Sequence, residues 1–286
     1  MSDYVKHFLN DLEFNPEIRS RADAFRALRS LDLDDVGEFL LTIPNKSYPK
    51  LSRLLPSMPS AEVQISWTGN AGTALLKQTT AFIRSVNRNY GRLTGRSLQG
   101  ATILDYGCGY GRISRLMYNF TTEEKLFGVD PWAIKLCHES GLLTNYFVSD
   151  FLPTDLPVGP VRFDFIYAFS VFTHLSVRST FASLRVLRKY IADHGVLAIT
   201  IRPIEYWQHD SRTSDAEKAF LLKQHQVDGF AFHPHNTPPI DGDITYGDTS
   251  MTLKWLADNF PEWSIKATDD SPEDPLQRYV FLAPNS

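Results

Sequence analysis

An open, doubly wound α/β sheet with mostly parallel strands, preceded by a helical N-terminal extension, is the fold class that the sequence predicts. Three observations predict it. From residue 101, short apolar runs rich in β-branched residues alternate with helix-patterned segments, the rhythm of repeated strand-helix-strand units. These runs are near-continuous in apolar residues rather than alternating, as strands are when helices cover both faces of a parallel sheet. The first run also ends in an acid followed by three glycines at every second position, in ILDYGCGYGR at 103–112.

The elements follow in order. Phe8, Leu9 and Leu12 recur at helical spacing. Ser30 or Asp32 is placed to cap a helix through Val36, Phe39, Leu40 and Ile43, which Pro44 ends. Pro49, Pro56 and Pro59 cut the next stretch into short pieces. Residues 73–93 are again helical, with Gly91 and Gly95 at the exit. ATILDY then predicts a strand, 112–120 a helix, KLFGVD a strand and 131–140 a helix. NYFVSD and FDFIYAF predict strands, 175–191 a helix and GVLAITI a strand. Residues 203–248 break the rhythm with a polar, aromatic and histidine-bearing stretch that contains Pro238-Pro239. A helix over 252–260, a strand over 263–267, an acidic loop DDSPEDP and a last strand RYVFLA complete the chain. The expected division is an extension over 1–65 and a main domain over 66–286, with an insertion at about 203–248.

Composition narrows the function. Among 286 residues, 29 Lys+Arg stand against 33 Asp+Glu, a formal net charge of −4, with 43% hydrophobic and 22% charged residues. This excludes a disordered or collagen-like chain. The negative balance sets against nucleic acid and anionic membrane, because counterion release needs a positive surface. No apolar run approaches the roughly 20 residues of a membrane-spanning helix, and MSDYVKHFLNDLEF lacks a signal-peptide apolar stretch. Cys108 and Cys137 are too few for a disulfide framework, so a reducing, cytoplasmic setting is expected.

The glycine loop carries the chemistry. Gly107, Gly109 and Gly111 permit unusual backbone dihedrals and close ligand approach. A strand-to-helix turn here also offers N–H groups to an electron-rich ligand. A phosphate-binding P-loop requires Gly-Lys-Ser/Thr, whereas the loop closes on Gly111-Arg112-Ile113. A dinucleotide fingerprint requires Gly or Ala at the sixth position, where Arg112 would obstruct helix-strand packing.

The flanking residues make the chain resemble the class I S-adenosylmethionine-dependent methyltransferases over roughly 100–285. Asp105 with Gly107, Gly109 and Gly111 matches that family's acid and glycine loop. Asp130 in FGVDPW matches its ribose-gripping acid, Asp150 in VSDF its adenine-side acid, and FDFIYAFSVFTHLS its pocket-lining fourth strand. The resemblance implies a seven-stranded sheet with an antiparallel last strand and S-adenosylmethionine as cofactor. It places Asp105, Gly107, Cys108, Gly109, Asp130, Trp132, Asp150, Phe151 and Ser170 at the cofactor site. Trp132 and Phe151 are placed to cover adenine faces, although Trp132 at a helix start is also an ordinary packing residue. SWTGNAG at 66–72 and ITYGDTSMTLKWL at 244–256 resemble segments of methyltransferases encoded among bacterial glycan-modifying genes. The implied acceptor is a small molecule or glycan precursor.

Methyl transfer to a hydroxyl needs a base, and the candidates are histidines. His174 follows the fourth strand, where imidazole titrates near working pH, but a helix-capping or pocket-wall role suits it as well. His233 and His235 lie in the insertion expected over the acceptor. His209 and His225 complete this region, whose spacing matches no compact metal motif, and no metal site is expected. Arg84, Arg88, Arg92 and Arg96 repeat every four residues. They are either a face for RNA phosphates or a solvated stripe near a helix C-terminus. RNA or protein methylation, and a cofactor-binding but inactive scaffold, are the alternatives to a small-molecule enzyme.

Overall fold

The computed structural model describes residues 1–285. The chain divides into two compact units, Met1–Asn87 with Ser97–Val148, and Arg88–Arg96 with Ser149 onward. Among the described residues, seven strands form one sheet in the order β3-β2-β1-β4-β5-β9-β8. No helix of the described residues is long and apolar enough to cross a membrane.

The first unit opens with helices α1 (Asp3–Phe14), α2 (Arg21–Leu28), α3 (Leu33–Leu41), α4 (Pro49–Leu54) and α5 (Ala61–Thr68), then most of α6 (Thr73–Thr94). Ser2 caps α1, and Ser20 with Asp23 forms a capping box on α2. Asp32 occupies the cap of α3, without a side-chain hydrogen bond. Arg21 fastens these helices to the sheet segment. Its guanidinium pairs with Glu123 at 2.6 Å and donates to the carbonyls of Leu54 and Gly141. Strands β1 (Ile103–Tyr106), β2 (Leu126–Asp130) and β3 (Tyr146–Val148) are parallel, with α7 (Ser114–Met117) and α8 (Ile134–Glu139) between them. Every residue of β1 and β2 is buried, which explains their unbroken apolar texture. Helix α7 is a single turn rather than the nine-residue helix expected over 112–120, because residues 109–113 remain in turns.

The second unit holds β4 (Phe163–Ala168), α9 (Val177–Tyr190) and β5 (Ile191–Ile201), with β4 and β5 parallel. The 203–248 insertion is more ordered than its composition suggests. It contains α10 (Tyr206–His209), α11 (Asp215–Asp228) and β6 (Phe230–Pro234), and β6 pairs antiparallel with β7 (Gly247–Met251). Helix α12 (Leu253–Asn259) leads to β8 (Trp263–Ser271) and β9 (Asp274–Pro284). As expected, β9 runs antiparallel, against both β5 and β8. The expected loop DDSPEDP is instead a tight hairpin. Pairing continues through Asp270 and Arg278, whose side chains meet at 3.1 Å across the strands, to Ser271 and Asp274.

Candidate functional site

In the first unit the site grows from the end of β1. Gly107, Gly109 and Gly111 all have positive φ, at 72°, 54° and 76°, a region other residues enter only with strain. Beside Gly109, open space lies where a Cβ would project, so the main chain there can be approached closely. The loop's N–H groups, however, are largely turned inward. Those of Gly107 and Cys108 donate to the Val129 carbonyl, that of Gly111 to the Cys108 carbonyl, and that of Gly109 to Asp130 at 3.0 Å. The expectation of free loop amides at these positions is corrected accordingly.

Asp130 organises this loop. Its Oδ1 accepts from the N–H groups of Trp132 and Ala133, both at 2.8 Å, and its Oδ2 from Gly109. A carboxylate oxygen has two lone pairs, so Oδ2 keeps one for a further donor such as a ribose hydroxyl. Burial pushes the Asp130 carboxyl up, against the three N–H bonds that favour its charged form. Asp105 is likewise buried and accepts from Ser114 Oγ at 2.6 Å, tying β1 to the first turn of α7. Cys108 is buried beneath the loop with its backbone N–H already bonded, and burial pushes its thiol well up. Trp132 is 48% exposed, a large apolar surface facing solvent.

In the second unit, Asp150 and Phe151 line an open recess of about 830 Å³, large enough for a small-molecule ligand. Ser170 follows β4 with φ of 59°. Its N–H donates to Thr200 Oγ1 at 2.7 Å, which holds the strained backbone in place. Ser170→Gly is expected to stabilise the fold by about 1 kcal/mol, the usual cost of that conformation for a residue with a Cβ. Urea unfolding midpoints check it.

The second unit also gathers a charged cluster around Asp248. Strand β7 runs beside residues 173–175, where the Thr249 and Gly247 N–H groups donate to the carbonyls of Thr173 and His174. At Gly247 a Cβ would fall 2.1 Å from the His233 carbonyl oxygen, so only glycine allows this approach. Asp248, its side chain 2% exposed, accepts from Arg202 Nη1, from Arg212 Nη2 at 2.7 Å and from His235 Nε2 at 2.8 Å. Burial alone would raise this carboxyl, but Arg202 and the two histidines outweigh it and hold the group well below the usual carboxylate range. Arg212 also donates to Asp210 and to the Tyr206 hydroxyl, while the Arg202 guanidinium stacks 4.0 Å over the Tyr206 ring.

The histidines separate by environment. His174 Nδ1 donates to the Gly247 carbonyl at 2.7 Å, and its Nε2 accepts from Arg202 at 3.3 Å. Burial, with Arg202 next in weight, pushes its imidazole down to about 3. Both ring nitrogens of His174 are thus engaged within the protein, to the Gly247 carbonyl and to Arg202. Because the unfolded residue takes up a proton near pH 6.5 and the folded one does not, its contribution is complete above that pH and lost below it. The expected slope is about 1.4 kcal/mol per pH unit between pH 6 and 5. Unfolding midpoints against pH, compared with His174→Gln, measure it. His233 Nε2 lies 3.7 Å from Glu217 on α11. His225 is buried, bonded to Ser250 Oγ at 2.7 Å. His235 keeps its ring 30% exposed, and its Nδ1 has no protein hydrogen-bond partner among the described residues.

The arginine series resolves as paired surface residues. Arg84 bonds Asp34, Arg88 bonds Asp269, Arg92 bonds the Asn89 side chain and Arg96 bonds Asp164. Asp248, Arg202 and Arg212 are the residues that sequence reasoning missed. Asp248 stood inside the quoted ITYGDTSMTLKWL, but its partners come from positions 174, 202, 212 and 235, and no local spacing links them.

Comparison with known proteins adds the family. No curated protein matches the chain. Among solved structures, it is similar to an S-adenosylmethionine-dependent methyltransferase from Clostridium acetobutylicum, at 11% identity and TM-score 0.48, over 73% of this chain and 92% of that one. It is also similar to a glycopeptide N-methyltransferase in complex with sinefungin, at 9% identity and TM-score 0.47, over 70% and 93%. A third is the magnesium protoporphyrin IX methyltransferase from Synechocystis, at 15% identity and TM-score 0.46, over 78% and 94%. A family model described as a methyltransferase domain matches residues 77–230, more than half of the 286. With this match, the strand order and the glycine loop in place, the chain belongs to the methyltransferase-domain family.

Proposed function

We propose that the chain methylates a hydroxyl group of a small molecule or glycan precursor, with His235 as general base. The observation that carries this reading is the His235–Asp248 pair. One ring nitrogen is 2.8 Å from a buried carboxylate and the other has no protein partner. An Nε2–H donated to Asp248 fixes the tautomer, leaving a lone pair on Nδ1 to accept a hydroxyl proton. Asp248 then stabilises the imidazolium that forms, and Arg202 and Arg212 keep Asp248 ionised and in position. His233 is a second candidate in the same insertion, set apart by its contact with Glu217 rather than with the buried carboxylate.

The residues present fit the cofactor. The open approach at Gly109 and the remaining lone pair on Asp130 Oδ2 suit a ribose-bearing ligand on the first unit. Trp132, 48% exposed on the same unit, is a further residue assigned to hold it. When bound, S-adenosylmethionine supplies an electrophilic methyl group on a sulfonium. The protein aligns the acceptor oxygen, excludes water and removes the proton. The reading includes a main domain over 66–286 with 1–65 as an extension, and a cytoplasmic location.

Incubation with S-adenosylmethionine and a panel of nucleotide-sugars and small alcohols, with products identified by NMR, tests it. A methyl carbon on oxygen is the expected result. Transfer to nitrogen alone would overturn the hydroxyl assignment and leave the family assignment standing.

A further inference from the structure

Tyr246 stands just before β7 in the second unit, and its main chain is held from two sides. It pairs with Leu175 across a β-bridge, and its carbonyl accepts from the His235 N–H at 3.1 Å. The Tyr246 ring meets both histidines of the Asp248 cluster. It stacks on His174 with centroids 5.2 Å apart and planes at 14°, and it meets His235 edge-on with centroids 5.5 Å apart and planes at 75°. Stacked and edge-to-face contacts at these separations are arrangements that aromatic rings favour.

The two imidazoles differ in how they are held. His174 is bonded at Nδ1 to the Gly247 carbonyl and at Nε2 to Arg202, and two anchored atoms define its plane. The ring of His235 is bonded at Nε2 alone, to Asp248, and is 30% exposed. One bond fixes one atom of a ring, and the χ2 torsion of histidine is broad, without sharp staggered minima. Asp248 therefore selects which nitrogen faces the carboxylate, while the ring plane, and with it the direction of the Nδ1 lone pair, is left to packing. The rings packed on His235 are Tyr246 and, at 6.2 Å and 61°, His174.

We propose that Tyr246 is the positioning residue that fixes the ring plane of His235, with His174 as the rigid support behind it. Its bearing on methyl transfer rests on His235 as the general base; the clamp itself does not. The contact is made by the ring, so Tyr246→Phe retains it and Tyr246→Leu removes it.

Carbon-13 relaxation at Cδ2 and Cε1 of both histidines, measured on the histidine-labelled full chain, tests the clamp. His235 should be as rigid as His174 in the wild type and in Tyr246→Phe. In Tyr246→Leu, His235 should gain fast ring motion while His174, held at two nitrogens, does not. A His235 that stays rigid in Tyr246→Leu, or is already mobile in the wild type, would overturn the proposal. Should Tyr246→Leu not fold, the same comparison of the two rings in the wild type and Tyr246→Phe decides. On a hydroxyl acceptor, Tyr246→Leu should lower kcat about tenfold with KM little changed, because a misaimed catalytic group costs at least that order, and Tyr246→Phe should restore it. A mobile His235 with kcat unchanged would leave the clamp standing and remove His235 as the base.

Discussion

His235→Asn is expected to lower kcat on a hydroxyl acceptor by ~10²–10⁴-fold, the range in which a positioned general base contributes, while the Kd for S-adenosylmethionine stays unchanged. The cause lies in the Asp248 cluster. Asn at this position is too short to reach Asp248 from where Nε2 now does and offers no basic nitrogen to the acceptor, so Tm is measured alongside kcat. Steady-state kinetics against calorimetric cofactor binding separates the two effects. His174→Gln serves as the contrast, because both nitrogens of that ring are already engaged. It should alter stability and its pH dependence more than kcat. Full activity in His235→Asn would remove this residue as the base.

Asp130→Ala is expected to weaken S-adenosylmethionine binding tenfold or more, about 1.4 kcal/mol or above. It should also lower Tm. The sequence alone supports an effect on the ligand with the fold intact, but the structure shows that the same carboxylate serves three backbone donors. Each N–H left without a partner while buried costs about 1–3 kcal/mol. Asp130→Asn retains one acceptor oxygen and should fall between the two proteins in both measurements. Calorimetry and thermal melts run on the same preparations check this, and unaltered cofactor affinity in Asp130→Ala would remove the ribose assignment.

The sheet was legible in the sequence because burial on both faces leaves a continuous apolar signature, visible in ILDY and LFGVD. The glycine loop was legible because positive φ at three alternating positions admits little but glycine. The β8–β9 hairpin was hidden, since DDSPEDP is polar and the cross-strand contact between Asp270 and Arg278 exists only once the strands have paired. Helix α11 carried a readable start in Ser214 and Glu217, which form a capping box. The inward turn of the loop amides at Gly107 and Gly109 depends on Val129 and Asp130, and spacing does not reveal it. The Asp248 cluster was hidden for a stronger reason. A buried carboxylate met by two arginines and two histidines from four separate segments exists only after folding.

The most direct test of this account is calorimetric titration of the purified chain with S-adenosylmethionine and with its demethylated product, NAD serving as control. The account predicts micromolar binding of both sulfur ligands, none of NAD, and loss of affinity in Asp130→Ala. Absence of binding by either sulfur ligand, with the protein folded, would contradict it and make the chain a methyltransferase fold without that chemistry.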